Sequence, residues 1–473
     1  MRKFETQVQL IKHKVLKEVA IQTWGDTLFE NLLDIPKIIN PTKKPISRCC
    51  VYKEHAILSE RVKLAIGGDL SNKNMIEVID IACDECPVGG YEVTNGCRGC
   101  LAHKCISVCP RNAITLDHNN KAIIDKDKCI ECGLCAKVCP YNAIKNNQRP
   151  CIKACKVDAI KMDEDRLAVI DNNKCIQCGA CVNQCPFGAM MDKSFIINVI
   201  DIIKKKSKQK KVYAMVAPSI ASQYKKIPVE KVFGALIKLG FDQVVEAALG
   251  ADQVAQLETE ELVEKGFLTS SCCPAFVNYI EKHIPELKEN ISHNLSPMAL
   301  LGKTIKTKEK DALVVFIGPC IAKKSEAIKP SVKKYIDAVI TFEELDALFD
   351  SKNIQVERCD AINIEDASYY GRVFARSGGL IEAIKGVIDE KKYHDFDFSP
   401  VTCNGIEECK KALLKHKNNL PIGNFIEGMA CLSGCIGGPG SLSHHPADTI
   451  AIDNFGKKSS KLTIDDSIKY FQI

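Results

Sequence analysis

Aromatic residues, long apolar runs and strong net charge are all scarce in this chain, and each absence excludes a class of protein. Aromatic residues make up 6% of the 473 residues, and the formal net charge is only +6. No polybasic tract with interleaved aromatics occurs, so nucleic acid is not an expected partner. The longest apolar runs, such as residues 312–318, are too short to span a bilayer, and the N-terminus lacks the apolar core of a signal peptide. The sequence therefore predicts a cytoplasmic protein without membrane insertion.

Cysteine, in contrast, is abundant. The chain has 26 cysteines, most of them in short regular spacings. Without a secretory context, such spacings indicate metal binding rather than disulfides. Runs of the form CxxCxxCxxxCP are typical of iron–sulfur clusters, whereas structural zinc is held by separated CxxC pairs. We therefore expect several iron–sulfur centres.

The pattern of the sequence changes twice along the chain, which predicts three regions. Residues 1–78 have helical periodicity and no evident role, and Cys49 and Cys50 within them are either ordinary thiols or contributors to a cluster. Residues 79–192 hold most of the cysteines. Residues 211–473 alternate strand-like and helix-like segments. The predicted fold is an α/β unit of two lobes, with mixed sheets flanked by helices, behind a ferredoxin-like α+β iron–sulfur module.

In the C-terminal region the pattern is specific enough to place elements. The predicted strands are 212–217, 243–247, 312–317 and 338–341. The predicted helices are 229–239, 252–265, 276–288, 342–348, 379–389 and 406–416.

The cysteine-rich region contains an internal repeat. Six cysteines recur after a constant interval of 46 residues, namely Cys105, Cys109, Cys129, Cys132, Cys135 and Cys139, which are followed by Cys151, Cys155, Cys175, Cys178, Cys181 and Cys185. The flanking segments IDKDKCIECG and IDNNKCIQCG repeat as well. The repeat predicts one supersecondary unit that is used twice.

Each repeat resembles a bacterial ferredoxin, in which the last cysteine of a CxxCxxCxxxCP run binds the neighbouring cluster. That rule assigns Cys129, Cys132 and Cys135 with Cys109 to one [4Fe–4S] centre, Cys175, Cys178 and Cys181 with Cys155 to a second, and Cys97, Cys100 and Cys105 with Cys139 to a third. Cys83, Cys86, Cys151 and Cys185 are left for a fourth. Alternatively, Cys83, Cys86, Cys97 and Cys100 bind a metal among themselves, so three to four accessory clusters are expected.

Three further cysteine motifs lie in the α/β region. They are SSCCPAF at 270–276, GPCIAKKSE at 318–326 and EGMACLSGCIGG at 427–438. Cys431 and Cys435 stand four residues apart, so one helical turn could point both at one metal centre. Two thiolates rarely complete an iron–sulfur site. We therefore expect Cys273 and Cys320 to share a cluster with them.

These motifs resemble, in the same order, the signature loops of the [FeFe]-hydrogenases, or iron-only hydrogenases, which read TSCCPGW, MPCxxKxxE and ExMACxxGCxxGG. The resemblance implies an H-cluster, in which a cubane joins a two-iron unit with CO, cyanide and azadithiolate ligands. Several positions depart from the family pattern. Ser270, Ala275, Phe276, Gly318 and Met298 replace residues that are usual there, which is typical of a less-studied branch of the family.

The resemblance also assigns roles around this cluster. Cys273, Cys320, Cys431 and Cys435 should bind the cubane, and Cys435 should bridge to the two-iron unit. Cys272 should pass protons to the amine of that unit, and Lys323 should meet a cyanide. The remaining positions are expected to pack against the centre or to contact its ligands: Met429, Pro218, Ser219 and Glu326.

A proton route is implied in the same way. The segment 250–262 aligns with a family segment that carries two relay glutamates, which gives Glu258 and Glu261, and counting onward from Cys272 gives Ser292. The two glutamates are three residues apart and so lie on one helical face. The alternative is that both belong to a solvated helix surface beside Glu260 and Glu264.

Three functions follow from the resemblance. The first is a cytoplasmic hydrogenase that interconverts H2 with protons and electrons, takes a ferredoxin or a similar one-electron carrier as its partner, and depends on hydrogenase maturation factors. The second is a low-turnover H2 sensor, which usually carries a signalling domain that this chain is not expected to have. The third is a non-catalytic iron–sulfur assembly factor, which keeps the cubane and lacks the two-iron unit. Cys272 and Lys323 argue against the third.

Overall fold

The computed structural model describes residues 4–471, apart from residues 85, 87–88, 208–209, 225–226, 394 and 446. Within these residues, no helix is both long and apolar enough to cross a membrane. The strand pattern divides them into an N-terminal helical segment, a set of small antiparallel ribbons and a C-terminal α/β unit. The prediction of an α/β unit behind a ferredoxin-like module is confirmed.

The N-terminal segment is helical and packs on the α/β unit. Its helices are α1 (Gln7–Trp24), α2 (Leu28–Asn31), α3 (Ile35–Ile39) and α4 (Val51–Ala65). Helix α1 begins where the Thr6 side chain accepts a hydrogen bond from the Gln9 N–H. Its apolar face buries Val15, Leu16 and Val19 in the same core as the C-terminal sheet. The segment is therefore part of the body of the protein.

The cysteine-rich region consists of two ferredoxin-like units, one of which is inserted into the other. Its strands are β1 (Ile76–Val78), β2 (Tyr91–Val93), β3 (Ile114–Leu116), β4 (Ala122–Ile124), β5 (Ile144–Asn146), β6 (Ile160–Met162), β7 (Ala168–Ile170) and β8 (Met190–Asp192). Its helices are α5 (Asp80–Cys83), α6 (Lys104–Ser107), α7 (Leu134–Val138), α8 (Pro150–Ala154) and α9 (Ala180–Gln184).

Strand pairing defines the insertion. Strand β2 pairs with β5, which closes an inner unit of residues 91–146. Strand β1 pairs with β8, which closes an outer unit that begins before the inner one and ends after it. Because β1 lies before residue 79, the ferredoxin-like region begins a few residues earlier than the sequence predicts.

The C-terminal unit contains two parallel sheets. Its strands are β9 (Val212–Val216), β10 (Gln243–Glu246), β11 (Leu268–Thr269), β12 (Leu313–Ile317), β13 (Ala338–Ile340), β14 (Pro400–Asn404) and β15 (Phe425–Met429). Four of them form the sheet β10-β9-β12-β13 and three form the sheet β11-β15-β14, each with parallel neighbours. The parallel sheets here and the antiparallel ribbons of the ferredoxin-like units together give the chain its mixed topology.

Helices surround the two sheets. They are α10 (Ile196–Lys204), α11 (Val229–Leu239), α12 (Ala247–Lys265), α13 (Pro274–His283), α14 (Pro297–Lys308), α15 (Ala322–Ala327), α16 (Phe342–Ser351), α17 (Tyr369–Val373), α18 (Gly379–Lys391), α19 (Ile406–Lys417), α20 (Asp448–Lys457) and α21 (Ile464–Phe471). The predicted helices at 229–239, 342–348, 379–389 and 406–416 are confirmed. Helix α13 ends at His283, and a 3-10 turn from Pro285 to Asn290 replaces the predicted continuation to 288, because Pro285 lacks the N–H that would continue the helix.

A buried ionic network joins the three regions. The Nζ atom of Lys324 on α15 lies 2.8 Å from both Asp192 Oδ2 and Glu344 Oε2. The Nζ atom of Lys12 on α1 lies 2.6 Å from both Asp192 Oδ1 and Glu343 Oε2. Buried charges are stable only when they are paired in this way, so Asp192, at the end of the outer ferredoxin-like unit, fixes that unit to both other regions.

Candidate metal centres and catalytic cavity

The accessory cysteines come together in four sets of four. We name them by their place in the fold: the proximal set (Cys155, Cys175, Cys178, Cys181), the outer set (Cys83, Cys86, Cys151, Cys185), the linker set (Cys109, Cys129, Cys132, Cys135) and the distal set (Cys97, Cys100, Cys105, Cys139). The linker and distal sets each line a cavity of their own. These two groupings are the ones that the ferredoxin rule predicts.

The outer set brings together the cysteines that the sequence left open. Burial, together with the neighbouring thiols of Cys185, Cys83 and Cys86, raises the pKa of the Cys151 thiol to about 11. The outer ferredoxin-like unit therefore takes its first two cysteines from before the inserted unit. In the distal set, burial raises the pKa of Cys105, and Cys100 and Cys139 contribute to the same shift. The alternative, a metal shared by Cys83, Cys86, Cys97 and Cys100, does not match this arrangement.

One sulfur environment recurs in all four sets. The backbone N–H of Ala113, four residues after Cys109, donates to the Cys109 sulfur at 3.3 Å. Equivalent N–H···S bonds of 3.3 Å are formed at three other cysteines, namely Cys139, Cys155 and Cys185. An N–H donor stabilises a thiolate, which is the protonation state that binds metal. The local backbone thus suits each of these sulfurs to ligation.

Cys49 and Cys50 lie apart from these sets in the structure. Both are exposed, and the Cys50 sulfur accepts a hydrogen bond from the Lys53 N–H at the start of α4. Neither lines the cavities of the linker and distal sets. The geometry favours the interpretation that they are ordinary surface thiols.

The four motif cysteines of the C-terminal unit also converge. Cys273 is the residue directly before α13, and Cys320 lies between β12 and α15. Burial raises the pKa of Cys435 to about 12, with further contributions from the nearby thiols of Cys320 and Cys273. Burial likewise raises the pKa of Cys431, whose neighbours include those same thiols. Three distant loops therefore form one group of cysteines.

The backbone between Cys431 and Cys435 is not an α-helix. Ser433 and Gly434 both have left-handed backbone angles, with φ of 64° and 74°. A side chain at position 434 would also lie 2.8 Å from the Ala375 carbonyl oxygen, so a residue without a Cβ is needed there. The two sulfurs reach one site through this tight turn, which differs from the single helical turn that their spacing predicts.

The catalytic and proximal groups are adjacent. The Cys178 thiol has Cys273 among the neighbours that raise its pKa, after burial, to about 12. Gly179, next to Cys178, packs so closely on Pro439 that a side chain at that position would overlap it. The proximal set in turn adjoins the outer set, because Cys151 is among the neighbours of the buried Cys181 thiol. The proximal and outer sets therefore follow one another away from the catalytic group.

A cavity of about 80 Å³ lies beside the catalytic cysteines. Its polar lining consists of Cys272, Cys273, Cys320, Cys435, Lys323 and Ser219. Its apolar lining includes Ala217, Pro218, Ala247, Ala251, Pro297, Met298, Phe316, Phe374, Ala375 and Met429. Predicted contact residues from four separate segments thus line one cavity, and most of its wall is apolar.

Lys323 and Ser219 carry the polar chemistry of this cavity. Lys323 is 8% exposed, and its Nζ atom pairs with Glu326 Oε2 at 2.8 Å and donates to the Cys272 carbonyl oxygen at 3.2 Å. Burial opposes the lysine charge, but Glu326 outweighs it and raises the pKa. The Ser219 hydroxyl is fully buried and has no hydrogen-bond partner among the residues that the structure describes. An unpaired buried hydroxyl beside a fixed cation fits an anionic, hydrogen-bond-accepting ligand such as the implied two-iron unit.

The predicted proton-route residues form a chain of contacts. Glu258 is fully buried, and burial raises its pKa to about 7. It accepts hydrogen bonds from the N–H and hydroxyl of Ser271, at 2.9 and 2.8 Å. The Ser292 hydroxyl donates to Glu261 Oε2 at 2.9 Å and lies close enough to Glu258 to lower its pKa, whereas Glu258 Oε2 has no hydrogen-bond partner among the described residues. Glu258 therefore does not belong to a solvated helix surface.

This series of contacts has an inner end at the cavity and an outer end at the surface. At the inner end, burial raises the pKa of the Cys272 thiol, and the charge of Glu258 is the next contribution to that shift. At the outer end, Glu261 keeps 12% of its side chain exposed and pairs with Lys265 at 2.6 Å. Burial opposes ionisation of Glu261, but hydrogen bonds from Lys265 and the His293 N–H lower its pKa. The residues thus extend from the cavity wall to the surface.

Sequence reasoning missed two residues in this region. Ser271 positions Glu258, and its place directly before Cys272 in the motif was the only available signal. Glu427 is fully buried and accepts the N–H groups of Gly378 and Leu380 at the start of α18, at 2.9 and 3.3 Å. Burial raises its pKa to about 8. Because α18 follows the segment with Phe374 and Ala375, this glutamate helps to hold one wall of the cavity.

Two of the departures from the family motifs, Gly318 and Met298, lie at or beside the cavity wall. A side chain at Gly318 would lie 2.7 Å from the Phe316 ring, so this ring occupies the space that a larger residue at 318 would need. Met298 is buried and lines the same cavity. These replacements change the shape and polarity of the wall and keep its predominantly apolar character.

The fold and these cysteine sets define an iron–sulfur protein whose α/β unit holds a further group of four cysteines beside a cavity. Comparison with known proteins agrees. Residues 210–439 match the family described as "Iron only hydrogenase large subunit, C-terminal domain", and residues 122–145 and 168–191 each match the "4Fe-4S binding domain". Residues 210–439 of this chain therefore belong to the iron-only, or [FeFe], hydrogenase family.

Individual relatives are more distant. "Iron hydrogenase 1" of Clostridium pasteurianum is 30% identical over 270 residues, which is 47% of this chain and 47% of that protein. A cytosolic Fe-S cluster assembly factor of Sclerotinia sclerotiorum is 33% identical over 140 residues, 25% of this chain and 24% of the relative. A solved [FeFe]-hydrogenase structure is 21% identical in sequence to this chain, with a TM-score of 0.49. The alignment covers 58% of this chain and 92% of the hydrogenase chain. The chain spans about half the length of the first two curated relatives that it matches.

Proposed function

We propose that this chain is an [FeFe]-hydrogenase, which interconverts H2 with two protons and two electrons. One observation supports the proposal best. Cys272, the Lys323 ammonium group and the unpartnered Ser219 hydroxyl all line an apolar cavity beside four converging cysteines. A protein that held only a cubane would have no use for a fixed cation and a free donor in that space.

The cysteines Cys273, Cys320, Cys431 and Cys435 would hold the cubane, and Cys435 would also hold the two-iron unit. That unit, when bound, supplies the site where protons and electrons combine into H2. Lys323 and Ser219 would offset and orient its anionic ligands without rearrangement, because both groups are already fixed by their surroundings. Met429, Phe316 and Phe374 exclude water from the same space. Pro218 positions the backbone that leads into Ser219.

The chain's own residues would move protons between solvent and the cavity. Cys272 exchanges a proton with Glu258, Ser292 connects Glu258 to Glu261, and Glu261 meets solvent. A group exchanges protons most effectively when its pKa lies near the working pH. Burial brings the pKa of Glu258 to about 7, which suits it to this task. Ser271 holds the carboxylate in place.

The four accessory sets would each hold a [4Fe–4S] cluster, which is a one-electron carrier. A succession from the catalytic group through the proximal, outer, linker and distal sets would carry electrons between the surface and the buried site. A ferredoxin or a similar one-electron carrier is the proposed partner. Hydrogenase maturation factors would supply the two-iron unit, since the protein alone offers only cysteine ligands for it.

A second candidate is supported by similarity to cytosolic Fe-S cluster assembly factors. On this alternative the catalytic cubane is present, the cavity holds no two-iron unit, and no H2 chemistry occurs. Cys272, Glu258, Ser292 and Glu261 would then have no shared role in moving protons. A low-turnover H2 sensor would instead keep the complete centre.

Infrared spectroscopy separates these candidates. The protein is reconstituted with iron and sulfide, treated with the synthetic two-iron precursor, and freed of unbound precursor. We expect CO and cyanide stretching bands that persist after gel filtration, together with H2 evolution. Persistent bands with very slow H2 evolution would favour the sensor. Absence of the bands in fully reconstituted protein would overturn the hydrogenase proposal and leave the assembly factor.

A further inference from the structure

Two buried arginines lie against the outer set. Arg149 comes directly before α8 and is 4% exposed, and Arg61 lies on α4 and is 2% exposed. Arginine is almost never buried to this extent unless its charge is paired. The two side chains reach the same group of cysteines from segments that are far apart in the chain. The outer set is therefore the place to look for the negative charge that stabilises them.

Arg149 donates to the outer set directly. Its Nη1 atom lies 3.5 Å from the Cys83 sulfur, and its Nη2 atom lies 3.2 Å from the Cys86 carbonyl oxygen. Burial raises the pKa of the Cys86 thiol, and the charge of Arg149 opposes that shift. In the four accessory sets, the other hydrogen bonds to sulfur within the described part of the chain come from backbone N–H groups. The outer set is thus distinguished by a charged side-chain donor.

Arg61 brings a second charge to the same set. Its Nη2 atom donates to the carbonyl oxygen of Phe187, two residues after Cys185, at 3.4 Å, and its Nη1 atom lies 3.9 Å from the Met191 sulfur. Its Nε atom has no hydrogen-bond partner, and no carboxylate among the described residues pairs with this guanidinium. Burial and the neighbouring Arg48 lower the pKa of Arg61 to about 10, and Cys185 opposes that shift. Cys185 is therefore the source of negative charge nearest to hand.

A buried guanidinium that has no carboxylate partner is costly unless another anion compensates it. A [4Fe–4S] cluster held by four thiolates carries a net negative charge, and reduction makes that charge larger. The net charge and the hydrogen bonds to the sulfurs are among the factors that set the reduction potential of such a cluster. Arg61 and Arg149 supply both factors to the outer set.

Cations beside other sets are placed differently. Lys282 donates to the Cys175 carbonyl oxygen in the proximal set, and Arg98 and Lys104 line the distal cavity. All three side chains are exposed. Water and salt screen an exposed charge, whereas they screen a buried charge much less. The outer set therefore experiences the strongest positive field of these three sets.

We propose that Arg61 and Arg149 make the outer set the accessory centre that accepts an electron most readily. Both cations stabilise the reduced cluster more than the oxidised one, because reduction adds a negative charge beside them. In this step the carrier loses one electron, the outer cluster gains it, and no bond forms or breaks. The assignment rests on the proposed function, since it requires a [4Fe–4S] cluster in the outer set.

Such a centre has a use in the proposed reaction. Each H2 requires two electrons, and a one-electron carrier delivers them singly. The outer set adjoins the proximal set, because Cys151 is a neighbour of the buried Cys181 thiol. The outer set would therefore hold the first electron close to the catalytic group until the second electron arrives.

A redox titration followed by electron paramagnetic resonance tests the order of reduction. The full chain is reconstituted with iron and sulfide alone, so that no H2 chemistry is needed. The signal of the outer cluster is the component that a Cys151→Ala variant lacks. As the applied potential is lowered, we expect this component to appear before those of the other accessory clusters. Earlier reduction of another accessory cluster would overturn the proposal.

Substitution of each arginine tests the cause. In Arg61→Gln we expect the ratio of reduced to oxidised outer cluster at a fixed potential to fall at least tenfold, which corresponds to about 59 mV for a one-electron couple. Arg149→Gln removes the other charge and should lower the ratio in the same direction, which keeps the test decisive if one variant folds poorly. Arg61→Lys retains the charge and should keep the ratio within threefold of wild type. Equal losses in Arg61→Lys and Arg61→Gln would mean that Arg61 acts only by packing, and would overturn its electrostatic role.

Lys161→Gln is the matched control, because Lys161 is an exposed cation on β6 of the same outer unit. It removes the same charge and should leave the ratio unchanged. Full iron content with an unchanged ratio in both arginine-to-glutamine variants would overturn the roles of Arg61 and Arg149 and leave the hydrogenase proposal intact. Absence of the CO and cyanide bands would instead overturn the hydrogenase proposal, and the titration would still decide the order of reduction.

Discussion

The distal cavity and the catalytic cavity are both built from cysteine loops, but they differ in almost every physical respect. The distal cavity is about four times larger and is bordered by a leucine that is 94% exposed. The catalytic cavity is lined mainly by alanine, phenylalanine, methionine and proline side chains, and its single lysine is 8% exposed. Arg98 and Lys104 beside the distal cavity are exposed to solvent, whereas the catalytic lysine is held by an ion pair.

This difference shows what each place requires. Electron exchange between proteins needs surface access and tolerates small changes in geometry. Chemistry on protons needs fixed donors, few water molecules and groups whose pKa values are shifted by burial. Single changes should therefore have large, specific effects at the catalytic site and limited, local effects among the accessory sets.

The largest expected effect is at Cys272. In Cys272→Ala the cavity keeps its four cysteine ligands and its lysine, and it loses the thiol that would exchange protons. We expect H2 evolution to fall about 10³-fold, within the range typical of general acid–base groups, while the CO and cyanide bands persist. The measurement is methyl viologen-driven H2 evolution together with infrared spectroscopy.

Cys403→Ala provides the control, because Cys403 is also buried, at 1% exposure, and belongs to none of the five cysteine groups. It should retain most of the activity. Full activity in Cys272→Ala would contradict the proposed proton route. It would also mean that the catalytic cavity does not depend on its individual side chains as strongly as the comparison with the distal cavity implies.

An intermediate effect is expected in the outer set. Cys151→Ala should remove one ligand of one accessory cluster and lower the iron content by about four atoms per chain, since each cubane holds four. The other four centres should retain their iron. Colorimetric iron analysis after reconstitution checks this outcome.

Cys359→Ala is the matched control, because Cys359 is buried and lies outside the sets. Its iron content should equal that of the wild type. Equal iron in Cys151→Ala and wild type would mean that the outer set holds no cluster, and the succession of four accessory sets would then be interrupted.

The smallest effect concerns the pH dependence of stability. Burial raises the pKa of Glu258 from 4.5 to about 7, so the folded protein retains a proton that the unfolded chain releases in this range. The free energy of unfolding should therefore fall as the pH rises from 4.5 to 7, by about 3 kcal/mol from this group. Glu258→Gln should flatten the dependence, as measured by thermal unfolding across this pH range.

Glu261→Gln should act in the opposite direction. The pKa of Glu261 is lowered, so its contribution to stability is present above the unfolded value and is lost on acidification. Its removal should weaken the protein mainly at neutral pH. Identical profiles for both variants would show that the two glutamates do not differ in environment as described.

Much of this arrangement could be predicted from local sequence. Spacing alone grouped the linker and proximal cysteines, because ferredoxin-like loops place their ligands within a few residues of one another. Buried β-branched runs such as 212–217 and 312–317 marked strands β9 and β12. The three motifs identified Cys273, Cys320, Cys431 and Cys435, since each retains the residues that its loop needs.

The remainder depended on contacts between distant residues. Strand β11 has only two residues, and β15 contains Gly428, so neither shows a strand-like pattern. The assignment of Cys83 and Cys86 requires knowing that β1 pairs with β8, more than 100 residues later. The pairing of Lys324 with Asp192 likewise spans 132 residues. No local periodicity records such contacts.

The insertion of one ferredoxin-like unit within another has a consequence for how the chain could be shortened or extended. Tyr91 and Asn146 are paired neighbours, so the segment between them leaves and rejoins the protein at almost the same point. A short turn could replace it and preserve the outer unit, its four cysteines and everything beyond. The same junction could accept a different electron-carrying module. The number of centres between the surface and the buried site could then change while the catalytic unit stays the same.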